Sequence, residues 1–140
     1  MSRLIEQLKR HEGFRSNPYI CTAGKLTIGY GRNLDNRGIS EDEAIAMLNN
    51  DISDCRNMLE RGEVGSIYLS LCDVRRDCLV NMCFQLGYAG ISKFVKMWNF
   101  LILDDFHGAA VEMLDSKWAK QTPERASELA EQMRSGQYQK

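Results

Sequence analysis

The sequence predicts an α+β protein, mostly helical, arranged as two lobes. Three observations carry that prediction. Alternating, β-branched and aromatic text is confined to one short stretch between Asn17 and Asn33; a capping box at Ser40 opens one long apolar stripe at helical spacing; and everything beyond Gly65 is helical in pattern. The 140 residues suit a single folding unit with one sizeable core.

The elements follow in order. Leu4, Ile5 and Leu8 recur at helical spacing, so a short amphipathic helix leads into His11-Glu12-Gly13 and places Glu12 where that helix ends. Pro18-Tyr19-Ile20 and Leu26-Thr27-Ile28-Gly29-Tyr30-Gly31 flank a Gly-containing turn and predict a small hairpin. After the turn Asp35-Asn36-Arg37-Gly38, the S-x-x-E box Ser40 to Glu43 starts a helix that should run to about Arg61. Its apolar stripe is Ala44, Met47, Leu48, Ile52, Cys55 and Leu59, and Gly62 and Gly65 end it. Residues 73–86 are too densely apolar for a surface helix, with Cys78, Leu79, Val80, Met82, Cys83 and Phe84 in succession, and predict the central helix of the main core. Further helices are expected near 91–103, 106–115 and 123–135, the last with Thr122 as N-cap and Pro123 at its first position. The small lobe then spans about 12–39, the connecting helix about 40–61 and the helical lobe about 65–135, joined by the N-terminal helix, with a cleft between lobes.

Composition narrows the function. With 44% hydrophobic and 26% charged residues the chain is neither disordered nor fibrous. Eighteen Lys and Arg against 19 Asp and Glu leave a net charge of −1, without the global attraction to polyphosphate that a nucleic-acid partner would require. The N-terminus lacks the apolar run of a signal peptide, and no stretch approaches a membrane span. Cytosolic synthesis without membrane insertion is therefore the expectation. Five cysteines, at 21, 55, 72, 78 and 83, exclude a fully paired disulfide framework and show no C-x-x-C spacing. With His11 and His107 as the only imidazoles, neither a metal nor a cofactor is expected. Cys55, Cys72, Cys78 and Cys83 fall at helix-face positions and are expected in the core; Cys21 alone belongs to polar surroundings.

Chemistry gathers near the hairpin. The first helix delivers Glu12, the hairpin carries Cys21 and Thr27, and Gly29 and Gly31 leave backbone uncovered beside them. A carboxylic acid at the lip of a cleft, beside a group that orients water, is the minimum equipment for acid-catalysed glycosidic cleavage.

Glu12-Gly13, Pro18-Tyr19, Gly24, Thr27-Ile28-Gly29-Tyr30-Gly31 and the spacing Glu-x8-Cys-x5-Thr resemble the active-site region of phage-type lysozymes, the muramidases of glycoside hydrolase family 24. The resemblance continues through Asp73-Val74-Arg75-Arg76, Asn81 to Gly87, Ser116-Lys117-Trp118 and Gln121 to Ala126, nearly the whole chain. It implies the lysozyme-like two-lobe fold, a single domain over residues 1–140, action as a monomer on bacterial peptidoglycan, and release to the cell wall through a lesion made by another protein. Glu12 takes the general-acid position, for which its carboxyl must hold a proton through partial burial or neighbouring charge. Thr27 takes the position that helps hold the attacking water. Cys21 stands where Asp is commonest in the family. A free thiol ionises near pH 8.5 and a nearby carboxylate pushes it higher, so a largely neutral Cys21 is the expectation. One of the two carboxylates whose separation distinguishes inversion from retention is thus replaced, and both outcomes stay open.

The resemblance also implies substrate contacts at Phe84, Asn33, Met97 and Glu112, and a supporting Arg125 that reaches the catalytic Glu. The stretch from Gly31 to Ser40 is several residues shorter than in family members with a fuller sheet, so one cleft wall should be reduced. Two readings compete with hydrolysis: a catalytically weak lysozyme-fold module that only binds peptidoglycan, and a lytic transglycosylase, which also uses one acidic residue.

Overall fold

The computed structural model describes residues 2–139. The chain forms α1 (Arg3–Glu12), β1 (Arg15–Ile20), β2 (Leu26–Gly29), β3 (Arg32–Asn33), α2 (Glu41–Arg61), α3 (Gly65–Ser70), α4 (Asp73–Ser92), α5 (Val95–Ile102), α6 (Phe106–Leu114), α7 (Lys117–Gln121) and α8 (Pro123–Ser135). This is the mostly helical α+β architecture predicted. The chain divides into two compact units, Met1–Met47 and Leu48–Lys140, with the boundary inside α2.

In the first unit, the Ser2 side chain caps α1 by accepting from the Ile5 amide at 3.1 Å, and Gly13 closes it with an amide bond to the Lys9 carbonyl at 3.0 Å. An antiparallel sheet follows, ordered β1-β2-β3. The pairs Tyr19↔Thr27 and Ile20↔Leu26 flank the turn, while the register breaks between Arg15 and Tyr19. That break contains Pro18, which has no amide proton to give the ladder, and it lies on an edge strand where the loss is tolerated. The third strand is an addition to the expected hairpin. At two residues, pairing Thr27↔Asn33 and Ile28↔Arg32, it is too short to carry an alternation signal in sequence.

The capping box at the start of α2 forms as expected. Glu43 donates its amide to Ser40 Oγ at 3.2 Å, and its own carboxylate accepts the Ser40 amide at 2.8 Å. Arg32, from β3, adds a bidentate pair to the same carboxylate and donates to the Gly38 carbonyl at 3.0 Å. One carboxylate therefore ties the last strand to the first helical turn after it.

The second unit holds the hydrophobic core. Leu79 and Met82 of α4 are fully buried with Met97, Leu101, Met113 and Met133 from α5, α6 and α8. Helix α8 packs on α4, α6 and α7, and α5 packs on α6. The central helix matches the expected 73–86 until Gly87, whose φ of 76° and ψ of 165° break the helical path before it resumes to Ser92.

Several expectations are corrected. Phe84, counted in the dense apolar run and expected as a substrate contact, is 45% exposed, so that run is not buried throughout. Cys72 is exposed and not core: it is the extended residue before α4, outside the helical face that buries Cys78. In α2, only Cys55 and Leu59 of the long stripe are buried, whereas Met47 and Leu48 are exposed at 54% and 44%. Thr122 stands at the N-cap of α8 with Pro123 at its start, as expected, but its side chain makes no capping bond. Its hydroxyl donates to the Trp118 carbonyl at 3.0 Å, closing α7, a five-residue helix too short to show a period. Helix α3 is likewise unannounced by pattern; Gly62 ends α2, but Gly65 starts the next helix.

The Glu43 cluster has a pH consequence. The Arg32 guanidinium foremost, and then the Ser40 amide and hydroxyl, hold the Glu43 carboxyl down from the ordinary 4.5 to about 2. Because the carboxylate is favoured in the fold, its stabilising contribution is complete above the unfolded value and disappears as pH falls through the folded one. Glu43→Gln should therefore lower the melting temperature by a few degrees at pH 7, and the gap to wild type should close between about pH 4 and about pH 2. Melting curves across pH check this; a gap independent of pH would refute it.

Candidate active site

The first unit builds the site around the junction of α1 with the hairpin. Tyr30 anchors this junction: its ring packs 5.5 Å from that of Phe14, and Lys9 Nζ of α1 stands 5.8 Å from its centroid. The end of α1 is thereby held beside the Gly29-Tyr30-Gly31 segment. Glu12, its last residue, lays its carboxylate against the backbone of Gly31. A Cβ at Gly31 would stand 2.7 Å from Glu12 Oε2 and 2.9 Å from Cδ, closer than any real side chain sits. Gly31 also has φ +75°, a conformation that other residues adopt only with strain. The motif text contained Gly31 as a glycine of the Gly-Tyr-Gly segment; its role as the surface on which the carboxylate rests is visible only in three dimensions.

Glu12 is exposed, so the partial burial that the general-acid role requires is not provided within its own unit.

Cys21 and Thr27 come together across the hairpin. The Cys21 amide bonds to the Lys25 carbonyl at 2.9 Å, and the Gly24 amide to the Cys21 carbonyl at 2.8 Å, closing a tight turn that folds the thiol back over the strand end. Thr27, only 4% exposed in the central strand, donates its hydroxyl to the Lys25 carbonyl at 2.8 Å. The thiol is half-buried, and its pKa is lowered, not raised as expected: the Lys25 amide contributes most, then the Thr27 hydroxyl, then the Ala23 amide. Hydrogen bonds to the anion outweigh the raising effect of burial, and the carboxylate expected to push the thiol up is not among the causes. A threonine hydroxyl has one proton, so turning it toward the sulfur releases the Lys25 carbonyl. Thr27 can thus alternate between the turn and an anion at position 21.

Asn33 is half-buried in β3, and its side-chain oxygen accepts the Asn36 amide at 3.0 Å, which commits it to the turn that follows. The other expected contacts lie in the second unit, on two different cavities. Phe84 lines one of about 420 Å³ with Leu48, Ile52 and Val80. Arg125 lines it too, donating to the Asn81 side chain at 2.7 and 3.0 Å and to the Asn81 carbonyl at 3.3 Å. Met97, fully buried, and half-buried Glu112 line a second cavity of about 530 Å³ beside Phe94 and Trp118. Residues 84 and 86 of α4 are about 200° apart around the helix, which is why Phe84 faces one cavity and Leu86 the other. Trp118 was quoted in sequence only as part of a matching segment. Its ring is fixed edge-on to Phe94 at 6.1 Å and by its indole N–H to Gln85 at 2.7 Å.

Among the described residues no group of three His, Cys, Asp or Glu could hold a metal ion, and no helix is long and apolar enough to cross a membrane. The lowered Cys21 pKa predicts that its alkylation by iodoacetamide reaches half-maximal rate at a pH below that of a free cysteine peptide, and that at pH 7 it labels ahead of exposed Cys72 and buried Cys55. Peptide mapping after brief labelling reads this directly; Cys72 or Cys55 modified first would overturn it.

Residues 9–136 match the phage lysozyme family. The chain is 27% identical to the probable T4-type lysozyme 2 of Dictyostelium discoideum, across 97% of this chain and 96% of that protein. It is 31% identical to an endolysin of Acyrthosiphon pisum secondary endosymbiont phage 1, across 81% of this chain and 75% of that one. A third similarity, 29% identity, is to the pre-baseplate central spike protein Gp5 of Enterobacteria phage T4, of which it covers 26%. With a mostly helical fold, a small antiparallel sheet and a family match over nearly its full length, the chain belongs to the phage lysozyme family of glycoside hydrolases.

Proposed function

We propose that the protein, acting as a monomeric single-domain lysozyme over residues 1–140, hydrolyses the β-1,4 bond between N-acetylmuramic acid and N-acetylglucosamine in peptidoglycan, with Glu12 as general acid. The observation that carries this reading is the Glu12 carboxylate resting on Gly31, in the same unit as the joined Cys21 and Thr27. In its protonated form Glu12 donates to the glycosidic oxygen as the bond to C1 breaks and oxocarbenium character develops. A water molecule adds to C1 and gives up a proton. The Cys21 thiolate, favoured by two amides and a hydroxyl, accepts that proton or fixes the water through its charge, and the Thr27 hydroxyl orients the same water. Phe84, Asn33, Met97 and Glu112 are proposed to line the polysaccharide path, and Arg125 to support the site. Synthesis in the cytoplasm and action on the wall after release complete the reading.

Hydrolysis is favoured over a purely binding role by the lowered Cys21 pKa, since the shift brings the thiolate, the base that a neutral thiol lacks, within easier reach. On purified peptidoglycan, Glu12→Gln should abolish reducing-end release, Cys21→Ser should reduce it partially, and Cys21→Asp should retain or improve it. Loss of a general acid typically costs about 10²–10⁴-fold. Full activity in Glu12→Gln would end this mechanism, and products carrying 1,6-anhydro ends would replace hydrolysis with transglycosylation.

A further inference from the structure

Strand β3 pairs with β2 only at Thr27 and Ile28, and the chain then leaves the sheet. At the next position along β2, the Leu26 amide donates to Asp35 Oδ2 at 2.7 Å, and the Leu26 carbonyl accepts the Leu34 amide at 2.7 Å. The Asp35 carboxylate thus stands in for the backbone acceptor that a longer β3 would supply. A closed turn holds it there. The Asn33 and Leu34 carbonyls accept the Arg37 and Gly38 amides, both at 3.0 Å, and Asn33 Oδ1 accepts the Asn36 amide at 3.0 Å. Among the described residues Asp35 enters no salt bridge, and the Leu26 amide is its one hydrogen-bond donor.

That amide shares a peptide plane with the Lys25 carbonyl. In a trans peptide the N–H and C=O point in opposite directions and the plane resists twisting, so fixing one aims the other. The Lys25 carbonyl is the acceptor on which the catalytic turn closes, taking the Cys21 amide at 2.9 Å and the Thr27 hydroxyl at 2.8 Å. The Lys25 amide, on the other side of the same residue, is the group that acts most strongly on the Cys21 sulfur. A carboxylate on the Leu26 N–H also polarises the Lys25 carbonyl and strengthens the bonds it accepts. Asp35 itself is not among the groups that act on the thiol, so its influence passes through this peptide. We propose that Asp35 is a positioning residue of the site: its carboxylate fixes the Lys25–Leu26 peptide, and with it the alignment of Lys25 and Thr27 on Cys21. The consequence for turnover rests on the hydrolase reading above and deepens it, whereas the consequence for the thiol does not depend on that reading.

The test compares wild type with Asp35→Asn, which keeps an oxygen for the Leu26 amide, and with Asp35→Ala and Asp35→Leu, which do not. Asp105→Ala is the matched control. Asp105 is an exposed aspartate of the second unit whose side chain accepts the Gly108 amide at 2.8 Å, so its loss removes the same kind of bond outside the hairpin's unit. Iodoacetamide labelling of Cys21, resolved by peptide mapping across pH, is the first readout. Its midpoint should rise by about one pH unit in Asp35→Ala and Asp35→Leu and stay at the wild-type value in Asp35→Asn and Asp105→Ala. Melting temperatures should fall alike in Asp35→Ala and Asp105→Ala, so general loosening does not produce the difference. On peptidoglycan, kcat at pH 7 should fall about ten-fold in Asp35→Ala with KM unchanged, and Asp35→Asn should restore it to within about two-fold of wild type. An unmoved midpoint in both loss variants, a midpoint in Asp35→Asn as high as in Asp35→Ala, or an equal rise in Asp105→Ala would overturn the proposal. If wild type releases nothing from peptidoglycan, the hydrolase reading fails alone, because the labelling comparison decides the inference without turnover.

Discussion

The contact between the Glu12 carboxylate and the bare backbone of Gly31 is the constraint on which the site depends. A carboxylate at the end of an exposed helix ordinarily samples many rotamers, and a proton donor that wanders loses catalytic power steeply with displacement. Here the helix end is held by Tyr30, which packs on Phe14 and lies beneath Lys9, and the next residue along offers a surface without a side chain. The chain needs a left-handed conformation at Gly31 and an absent Cβ at the same point, and glycine alone meets both requirements.

The remainder of the small unit keeps that contact in register. Thr27 occupies the middle strand, paired on one side with Tyr19 and on the other with Asn33, so the thiol-bearing turn and the Gly-Tyr-Gly segment leave opposite ends of one four-residue strand. Arg32 then fastens the strand that follows to the cap of α2 through Glu43. Electrostatics within the unit is local: two amides and a hydroxyl act on Cys21, and one guanidinium acts on Glu43. The cavities of the second unit are separate, one around Phe84 that also carries Arg56, Asp77, Asn81, Arg125 and Glu128, and one around Trp118 that carries both lysines and the carboxylates of Glu112 and Asp115.

Much of this was legible from residues alone, for reasons that differ by element. The box Ser40 to Glu43 states both of its hydrogen bonds in four letters, and the dense apolar run after Asp73 announces a buried helix whatever surrounds it. Glu12, Cys21 and Thr27 were identified by the spacing shared with a family, and the last two are joined through the turn at Lys25. Periodicity could not reveal α3 and α7, which are six and five residues long, or the two-residue β3. It placed Thr122 at the N-cap of α8 but could not tell that its hydroxyl turns to the Trp118 carbonyl, and it counted Phe84 in the dense run without knowing which side of α4 is covered. The direction of the Cys21 shift was missed because amides from a turn leave no mark in composition.

The most direct test of the Glu12–Gly31 contact is the kinetic comparison of Gly31→Ala with Gly29→Ala. Both glycines have positive φ, +75° and +68°, so alanine brings about 1–3 kcal/mol of backbone strain to either. A Cβ at Gly29 meets nothing within 4 Å, whereas one at Gly31 strikes the Glu12 carboxylate. Similar losses of melting temperature, with kcat on peptidoglycan falling about ten- to a hundred-fold further in Gly31→Ala than in Gly29→Ala, are the expected result. Equal kcat in the two variants would contradict the claim that Gly31 positions the acid.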